Sequence, residues 1–135
     1  MTQEELDAYL ARIPYVAFLG MGARLEGGEL TGVLPFSQRL IGNVMLPALH
    51  GGVLGAFMEL TALARLTLDQ PTGRRPKTID VTIEYLRPGK PVETYAQATL
   101  RKVGRRIASV HAEAWQEARD QPVAALRGHF LLGEG

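Results

Sequence analysis

The fold is decided by the stretch His50-Gly-Gly-Val-Leu-Gly-Ala-Phe-Met-Glu59-Leu-Thr-Ala-Leu-Ala64. Nearly every residue in it is apolar or small, and a helix that is apolar almost all round is a buried helix. One carboxylate, Glu59, interrupts the run, and a buried carboxylate is costly unless it has a partner or a chemical role. Gly51 and Gly52 are poor helix formers, and their place at the helix start indicates close approach by another group. The stretch therefore predicts an active site built around a central helix.

The composition fits one domain, which we assign to residues 1–135, with a core that needs no covalent staples. The chain has no cysteine, which excludes disulfides, thiolate metal ligands and a cysteine nucleophile. Its three histidines, His50, His111 and His129, do not have the spacing of metal ligands. We therefore expect neither a metal nor another cofactor.

The net charge and the hydropathy pattern argue against nucleic acids and membranes as binding partners. The net charge of +1 gives no general attraction to nucleic acid or to a membrane surface. The first residues are acidic and lack the apolar core of a signal peptide. No apolar run reaches about 18 residues without a charge, so no transmembrane helix is predicted. We expect a cytoplasmic protein that binds neither nucleic acid nor membranes.

Upstream of the central helix, the pattern predicts a short helix and a pair of strands. Residues 2–12 have apolar side chains at helical spacing behind a capping box. Residues 22–34 alternate in part and are broken by Gly27-Gly28, which indicates a strand pair or one bent strand. Residues 37–49 contain several turn-forming residues and are predicted to be a loop.

Downstream, the period of the apolar residues changes to two. Residues 78–86 alternate polar and apolar side chains and are rich in β-branched residues. Three more strands follow through short turns, at residues 92–102, 106–117 and 123–132. Short turns favour an antiparallel meander, and an apolar helix needs cover on most sides. We therefore predict an α+β fold in which a curved antiparallel sheet wraps around a long central helix at residues 50–68.

The spacing of His50 and Glu59 separates them within one helix. Nine residues at about 100° each place the two side chains on roughly opposite faces, about 13 Å apart along the axis. If both residues serve one site, two copies of the helix must meet antiparallel, so that Glu59 of one chain faces His50 of the other. The structural alternatives are that His50 only caps the helix and that Glu59 forms an ion pair with Arg65 or Arg39.

Three further residues carry groups that a catalytic site can use. Gly51 offers a free backbone N–H at the positive end of the helix dipole, which can hold an oxyanion. Asn43 can orient a water molecule or a substrate carbonyl, and the Thr78 hydroxyl can donate a hydrogen bond to a carboxylate. Each also has a structural alternative: a tight turn for Gly51, a turn-forming asparagine for Asn43 and an ordinary strand residue for Thr78.

A basic cluster of Arg101, Lys102, Arg105 and Arg106 surrounds Gly104. Basic side chains at a hairpin can bind phosphate groups, and they can equally form a solvated turn. Aromatic residues are not interleaved with these charges, so the cluster does not favour nucleic-acid binding.

Two segments carry a family resemblance. The first runs from Asn43 through Leu49-His-Gly-Gly-Val53 to Glu59, and the second is Ile79-Asp-Val-Thr-Ile-Glu-Tyr-Leu-Arg-Pro88. Together they resemble the PaaI-like group of hotdog-fold acyl-CoA thioesterases, over about residues 19–132. The resemblance implies a sheet wrapped around a central helix, and dimers with two sites across their interface.

The resemblance also implies a role for each candidate residue. Glu59 would be the catalytic carboxylate, and the N–H of Gly51 would polarise the thioester carbonyl. His50 would position the loop and the substrate, Asn43 matches the loop asparagine, and Thr78 matches the hydroxyl residue at the strand start. The remaining matches are the substrate-binding residues Lys102, Val103, Gly104, Arg105, Arg106 and Arg87.

These observations predict an acyl-CoA thioesterase that acts as a homodimer or a dimer of dimers. Phe57, Met58, Leu60 and the loop at residues 37–49 are expected to shape its acyl pocket. Two other functions stay open: a hotdog hydratase or dehydratase acting on hydroxyacyl thioesters, and a non-catalytic acyl-CoA-binding module. Hydration of enoyl thioesters would favour the first, and tight binding of coenzyme A without turnover would favour the second.

Overall fold

The computed structural model describes residues 1–70 and 75–133. Its helices and strands are α1 (Gln3–Ala11), α2 (Pro14–Leu19), β1 (Gly22–Glu26), β2 (Glu29–Leu34), β3 (Ile41–Asn43), β4 (Ala48–Leu49), α3 (Gly51–Asp69), β5 (Lys77–Tyr85), β6 (Thr94–Val103), β7 (Ile107–Trp115) and β8 (Ala124–Leu131). Of the polar connection before β5, residues 71–74 lie outside the described residues.

Local sequence signals set the boundaries of the first elements. Thr2 and Glu5 form the expected capping box at the start of α1. The hydrogen bond from the Thr2 backbone N–H to the Glu5 carboxylate lowers the pKa of Glu5. Gly27 and Gly28 make the β1–β2 turn with φ of 57° and 81°, a conformation that favours glycine. The predicted helix and strand pair are therefore confirmed.

The main sheet has six strands in the order β1-β2-β6-β7-β8-β5, all antiparallel. The predicted meander is confirmed for β6, β7 and β8 and is wrong for β5, which lies beyond β8 at the edge of the sheet. The reason is tertiary packing. Val81 and Ile83 of β5 pack against the core, and Ile83 contacts α3 at Gly55. Alternation predicts a strand but does not identify its neighbour.

Helix α3 packs on the concave face of the sheet, as in a hotdog fold. Phe57, Met58 and Leu66 are fully buried against it. Ala56, Leu60 and Leu63 on another face are only partly buried. Contrary to expectation, α3 is long and apolar enough to cross a membrane by length and composition, although half of it is buried inside the protein. One chain therefore leaves an apolar face of its central helix incompletely covered.

The segment before α3 is more ordered than the predicted loop. Residues 38–40 form a 3-10 turn, and β3 pairs with β4 in a two-stranded hairpin. The His50 N–H donates to the Leu40 carbonyl (2.8 Å), and the Leu49 N–H donates to the Gly89 carbonyl (2.9 Å). These bonds fix the start of α3 to the body of the domain. Short strands of two or three residues have no periodicity that a sequence pattern can detect.

Candidate active site

Glu59 lies in the middle of α3, partly exposed, and accepts a hydrogen bond from the Thr78 hydroxyl of β5 at 2.7 Å. The ion-pair alternative for Glu59 is wrong for both arginines. Arg65 pairs with Asp69 at 2.9 Å, and the guanidinium of Arg39 lies over the ring of Phe18. Among the described residues no basic side chain pairs with Glu59. The carboxylate is thus oriented by a neutral donor and has a second oxygen available for chemistry.

The start of α3 presents an unused backbone donor. His50 is the N-cap residue, and its Nδ1 accepts a hydrogen bond from the Gly52 N–H at 2.8 Å. The Val53 N–H donates to the His50 carbonyl. Within residues 1–70 and 75–133, the N–H of Gly51 has no hydrogen-bond acceptor. A free N–H in the first turn of a helix suits a developing negative charge on oxygen.

His50 caps α3, which is the structural alternative for this residue. Because Nδ1 accepts a hydrogen bond, the proton of the neutral ring lies on Nε2. The side chain is exposed, so Nε2–H is available as a second donor beside the Gly51 N–H. Capping and substrate positioning are therefore compatible in this residue.

Tyr85 belongs to the site, although the sequence assigned it no role. Its hydroxyl donates to the Gly51 carbonyl at 2.8 Å. A Cβ added to Gly51 would meet the Tyr85 ring at 3.1–3.2 Å. Gly51 is therefore needed for close packing against this ring. No local signal finds the contact, because it joins residues that are 34 positions apart in the sequence.

Asn43 ends β3 and shapes a tight turn. Its Oδ1 accepts hydrogen bonds from the N–H groups of Met45 (3.0 Å) and Leu46 (3.3 Å). This is the turn-forming alternative for Asn43. Its side-chain NH₂ keeps its donors, so contact with a substrate or a water stays a prediction.

The loop after β5 is hydrogen-bonded to the segment that leads into α3. The Lys90 N–H bonds Gln116, and the Lys90 ammonium donates to Glu117 at 2.8 Å. The hydrogen bond from Lys90, together with its charge, lowers the pKa of Glu117. These contacts hold the adjacent Gly89, whose carbonyl accepts from Leu49 just before the His50 cap.

The basic hairpin between β6 and β7 lines a surface cavity of about 720 Å³. Lys102, Gly104, Arg105 and Arg106 all line it, as the sequence suggested, while Val103 lies exposed beside them. His129 also lines the cavity and was not predicted; its Nδ1 lies 2.9 Å from Asp80 Oδ1.

Within one chain, Arg87 does not lie near the basic hairpin between β6 and β7. Its guanidinium donates to the Pro122 carbonyl, and its backbone N–H donates to Val123. Val123 in turn pairs with Ala114 near the end of β7 that is remote from the hairpin. Arg87 therefore lies at the opposite end of the sheet from Lys102.

A second cavity of about 470 Å³ lies between α1 and α3. We call it the α1–α3 trough. Its apolar walls include Ile13, Leu60, Leu63 and Pro76. Pro76 is two residues before Thr78, the partner of Glu59. Phe57 and Met58 are fully buried in one chain, and neither lines this trough, so their part in an acyl pocket stays a prediction.

The parts of the site do not meet within one chain. Gly51 and Glu59 are separated by eight residues of α3, or about 12 Å along the axis. Each end of the site has its own contact on β5: Thr78 at Glu59 and Tyr85 at Gly51. Within residues 1–70 and 75–133, no group of three His, Asp or Glu side chains is arranged to hold a metal ion.

Comparison with known proteins shows similarity to thioesterases. A family model described as the thioesterase superfamily matches residues 46–123. The medium/long-chain acyl-CoA thioesterase YigI of Escherichia coli is 25% identical, over 94% of this chain and 90% of that protein. A solved structure from Chromobacterium violaceum is 40% identical, with a TM-score of 0.77 over 95% of this chain and 89% of that one. A phenylacetic acid degradation-related protein from Ralstonia eutropha shares the fold at 22% identity, with a TM-score of 0.78 over 91% and 98%.

Proposed function

Because the chain belongs to the thioesterase superfamily, we propose that it hydrolyses acyl-CoA thioesters at two sites shared between the subunits of a homodimer. The observation that carries this proposal is the position of Glu59. It is a carboxylate oriented by Thr78 on a helix face that one chain leaves partly uncovered. The acyl-CoA thioesterase activity of a relative that spans nearly the whole chain supports the substrate class.

The two edges of the sheet differ in a way that supports a dimer through β5. At the β1 edge, the Gln3 side chain donates to the Ala23 carbonyl and accepts from the Leu25 N–H. This side chain therefore blocks further strand pairing. Along β5, every pairing within the described residues is with β8, and Ile79 is half exposed. A second β5 strand can therefore add to this edge.

A β-bulge sets the register of such a pair. The pairing of β5 with β8 shifts between Thr78 and Asp80, so Thr78 and Tyr85 both contact α3 although their numbers differ in parity. Two antiparallel copies of β5 centred on Thr82 then set Thr78 opposite the partner's Tyr85. In this register, Glu59 of one subunit approaches the partner's Gly51.

The chemistry follows from that arrangement. The thioester carbonyl accepts from the partner's Gly51 N–H, and the Nε2–H of the partner's His50 is a second donor to the substrate. Glu59 then removes a proton from water as the water attacks the carbonyl carbon, or it attacks that carbon directly to give an anhydride. In the first route the carbon–sulfur bond then breaks, and the proton passes from Glu59 to the leaving thiolate. In the second route the carbon–sulfur bond breaks as the anhydride forms, and a water molecule then hydrolyses the anhydride, which restores Glu59 and supplies the proton for the thiolate. Either route releases a free acid and coenzyme A.

The basic hairpin is the proposed site for the phosphates of coenzyme A. Lys102, Arg105 and Arg106 are all exposed on it, and guanidinium groups suit phosphate oxygens. The antiparallel β5 pair would also bring the partner's Arg87 to this end of the sheet, because β5 ends beside Arg87 and begins opposite Leu131 of β8.

The test is Glu59→Gln, assayed by thiol release from a panel of acyl-CoA thioesters. We expect about 10²- to 10⁴-fold lower kcat, the usual contribution of an acid–base group, in a variant that remains a dimer. The matched control is Asp69→Asn on the same helix, which should keep wild-type activity. Hydrolysis by Glu59→Gln at the wild-type rate would exclude the mechanism. Enoyl-thioester hydration, or tight binding of coenzyme A without turnover, would indicate the alternative functions.

A further inference from the structure

The proposed oxyanion donor is the N–H of a glycine at the end of a helix. Gly51 is the first residue of α3, and glycine has more conformational freedom than any other residue. Because it has no side chain, it is held only through contacts with its main chain. On one side, the His50 N–H donates to the Leu40 carbonyl at 2.8 Å. An oxyanion donor works best when its direction is fixed before the charge develops, so a restraint on the other side of Gly51 would serve the reaction.

Two glycines one helical turn apart let β5 approach the first turn of α3. A Cβ added to Gly51 would lie 3.1–3.2 Å from the ring and hydroxyl of Tyr85. A Cβ added to Gly55 would lie 2.5 Å from Ile83 Cδ1 and 3.7 Å from the Tyr85 hydroxyl oxygen. Glycine inside a helix lowers its stability, and the sequence gave no reason for Gly55. In the fold it keeps this face of α3 open, so that Tyr85 and Ile83 pack close to the helix backbone.

The Tyr85 hydroxyl ties the first turn of α3 to the sheet. It donates to the Gly51 carbonyl at 2.8 Å, which is an ordinary length for an O–H···O hydrogen bond. A carbonyl oxygen has two lone pairs, so it can also accept the bond that the helix itself supplies. The backbone of Tyr85 is fixed in turn, because Tyr85 pairs with Ala124 of β8 and the Leu86 N–H donates to the Val123 carbonyl at 2.9 Å. Although Tyr85 is 55% exposed in one chain, both of its ends are therefore held.

We propose that Tyr85 is a positioning residue for the hydrolysis: its hydroxyl and ring hold Gly51, so that the N–H of Gly51 keeps one direction when negative charge develops on the thioester oxygen. This inference rests on the proposed function. Tyr85 acts through Gly51 and does not touch the substrate. Thr78 of the same strand orients Glu59, so β5 of each subunit positions both groups on which the proposed reaction depends.

The kinetic test compares Tyr85→Phe with wild type on hexanoyl- and decanoyl-CoA, by thiol release. Phenylalanine keeps the ring and removes the hydroxyl, so we expect kcat to fall about fivefold, the rate equivalent of one neutral hydrogen bond. KM should not change, and the loss should be equal on both substrates because both carry the same thioester carbonyl. The matched control is Tyr95→Phe, which removes another hydrogen-bonded tyrosine hydroxyl, the one that donates to Glu93, and should change neither value.

Four results of the kinetic test would overturn the proposal. The first is a wild-type kcat in Tyr85→Phe. The second is a higher KM at an unchanged kcat, which would mean that Tyr85 binds the substrate. The third is a loss that depends on the length of the acyl chain. The fourth is a loss of kcat that is accounted for by a smaller fraction of folded protein, measured by circular dichroism.

A second test does not depend on activity. The N–H groups of Val53 and Leu54 donate to the His50 carbonyl, so their hydrogen exchange reports how often the first turn of α3 opens. We expect faster exchange of these amides in Tyr85→Phe, and wild-type rates in Tyr95→Phe. Unchanged exchange in Tyr85→Phe would overturn the proposal even if the protein hydrolyses thioesters. Faster exchange in a protein without thioesterase activity would instead reject the proposed function and leave Tyr85 as the restraint on Gly51.

Discussion

At the scale of single residues, Glu59 differs from what its sequence context suggested. A lone carboxylate in an apolar run indicates burial, but Glu59 is only partly buried in one chain. The neighbouring apolar face of α3 is only partly buried too, and the proposed dimer would account for both observations. A hydroxyl donor orients the carboxylate without a positive charge, which suits the role of general base proposed for Glu59.

The role of the Thr78 hydroxyl can be tested separately from the shape of its side chain. Thr78→Val keeps the shape of the side chain and removes the hydrogen bond to Glu59, so we expect kcat to fall about tenfold, the worth of roughly 1.4 kcal/mol, with little change in KM. Thr78→Ser keeps the hydroxyl and should restore most of the activity. Both are measured by thiol release. Equal activity of the valine and serine variants would mean that the hydroxyl does not position Glu59.

At the scale of elements, local signals predicted each long helix and strand, and tertiary contacts decided the rest. The N-cap at His50 and the strand pair around Gly27 depend on neighbouring residues, so sequence patterns could identify them. The position of β5 beside β8 depends on contacts with α3 over long sequence distances, and the predicted meander was wrong there. The Thr78–Glu59 hydrogen bond was predicted because a hydroxyl is a natural donor to a carboxylate. The Tyr85–Gly51 contact was not predicted, because it depends on how β5 packs against α3.

The packing of α3 on β2 gives a stability prediction. A Cβ on Gly32 would overlap the Thr61 hydroxyl oxygen and lie 3.1 Å from the Phe57 ring. Thr61 is fully buried and already donates to the Phe57 carbonyl. Since neither group has room to move, we expect Gly32→Ala to lower the free energy of unfolding by about 1–3 kcal/mol, measured by urea denaturation.

The matched control for Gly32→Ala is Gly22→Ala in β1. A Cβ at Gly22 meets nothing within 4 Å, and its backbone does not have a positive φ. This substitution should be neutral, or stabilise by less than about 1 kcal/mol through the lower entropy of the unfolded chain. If both substitutions destabilise equally, close packing at Gly32 is not the cause.

At the scale of the whole molecule, the protein has one blocked sheet edge and one open edge. Gln3 seals β1, and β5 carries both anchors of the candidate site, Thr78 and Tyr85. The spacing of His50 and Glu59 predicts that two chains are needed if both residues serve one site. The surface that would join the subunits of the proposed dimer could not be predicted from the sequence, because the bulge in β5 and the blocked edge of β1 are properties of the folded sheet.

The β5 edge can be tested with a single substitution. Thr82 lies at the centre of the proposed antiparallel pair, so Thr82→Cys would place two thiols across the two-fold axis, within the short Cα separation that a disulfide requires. The chain has no other cysteine, and Thr82 is exposed. Mild oxidation should therefore give a covalent dimer that non-reducing electrophoresis detects. Glu26→Cys, on the exposed end of the opposite edge strand, should stay monomeric on the same gel. If Glu26→Cys cross-links and Thr82→Cys does not, the subunits join through β1, and Glu59 does not face the partner's Gly51.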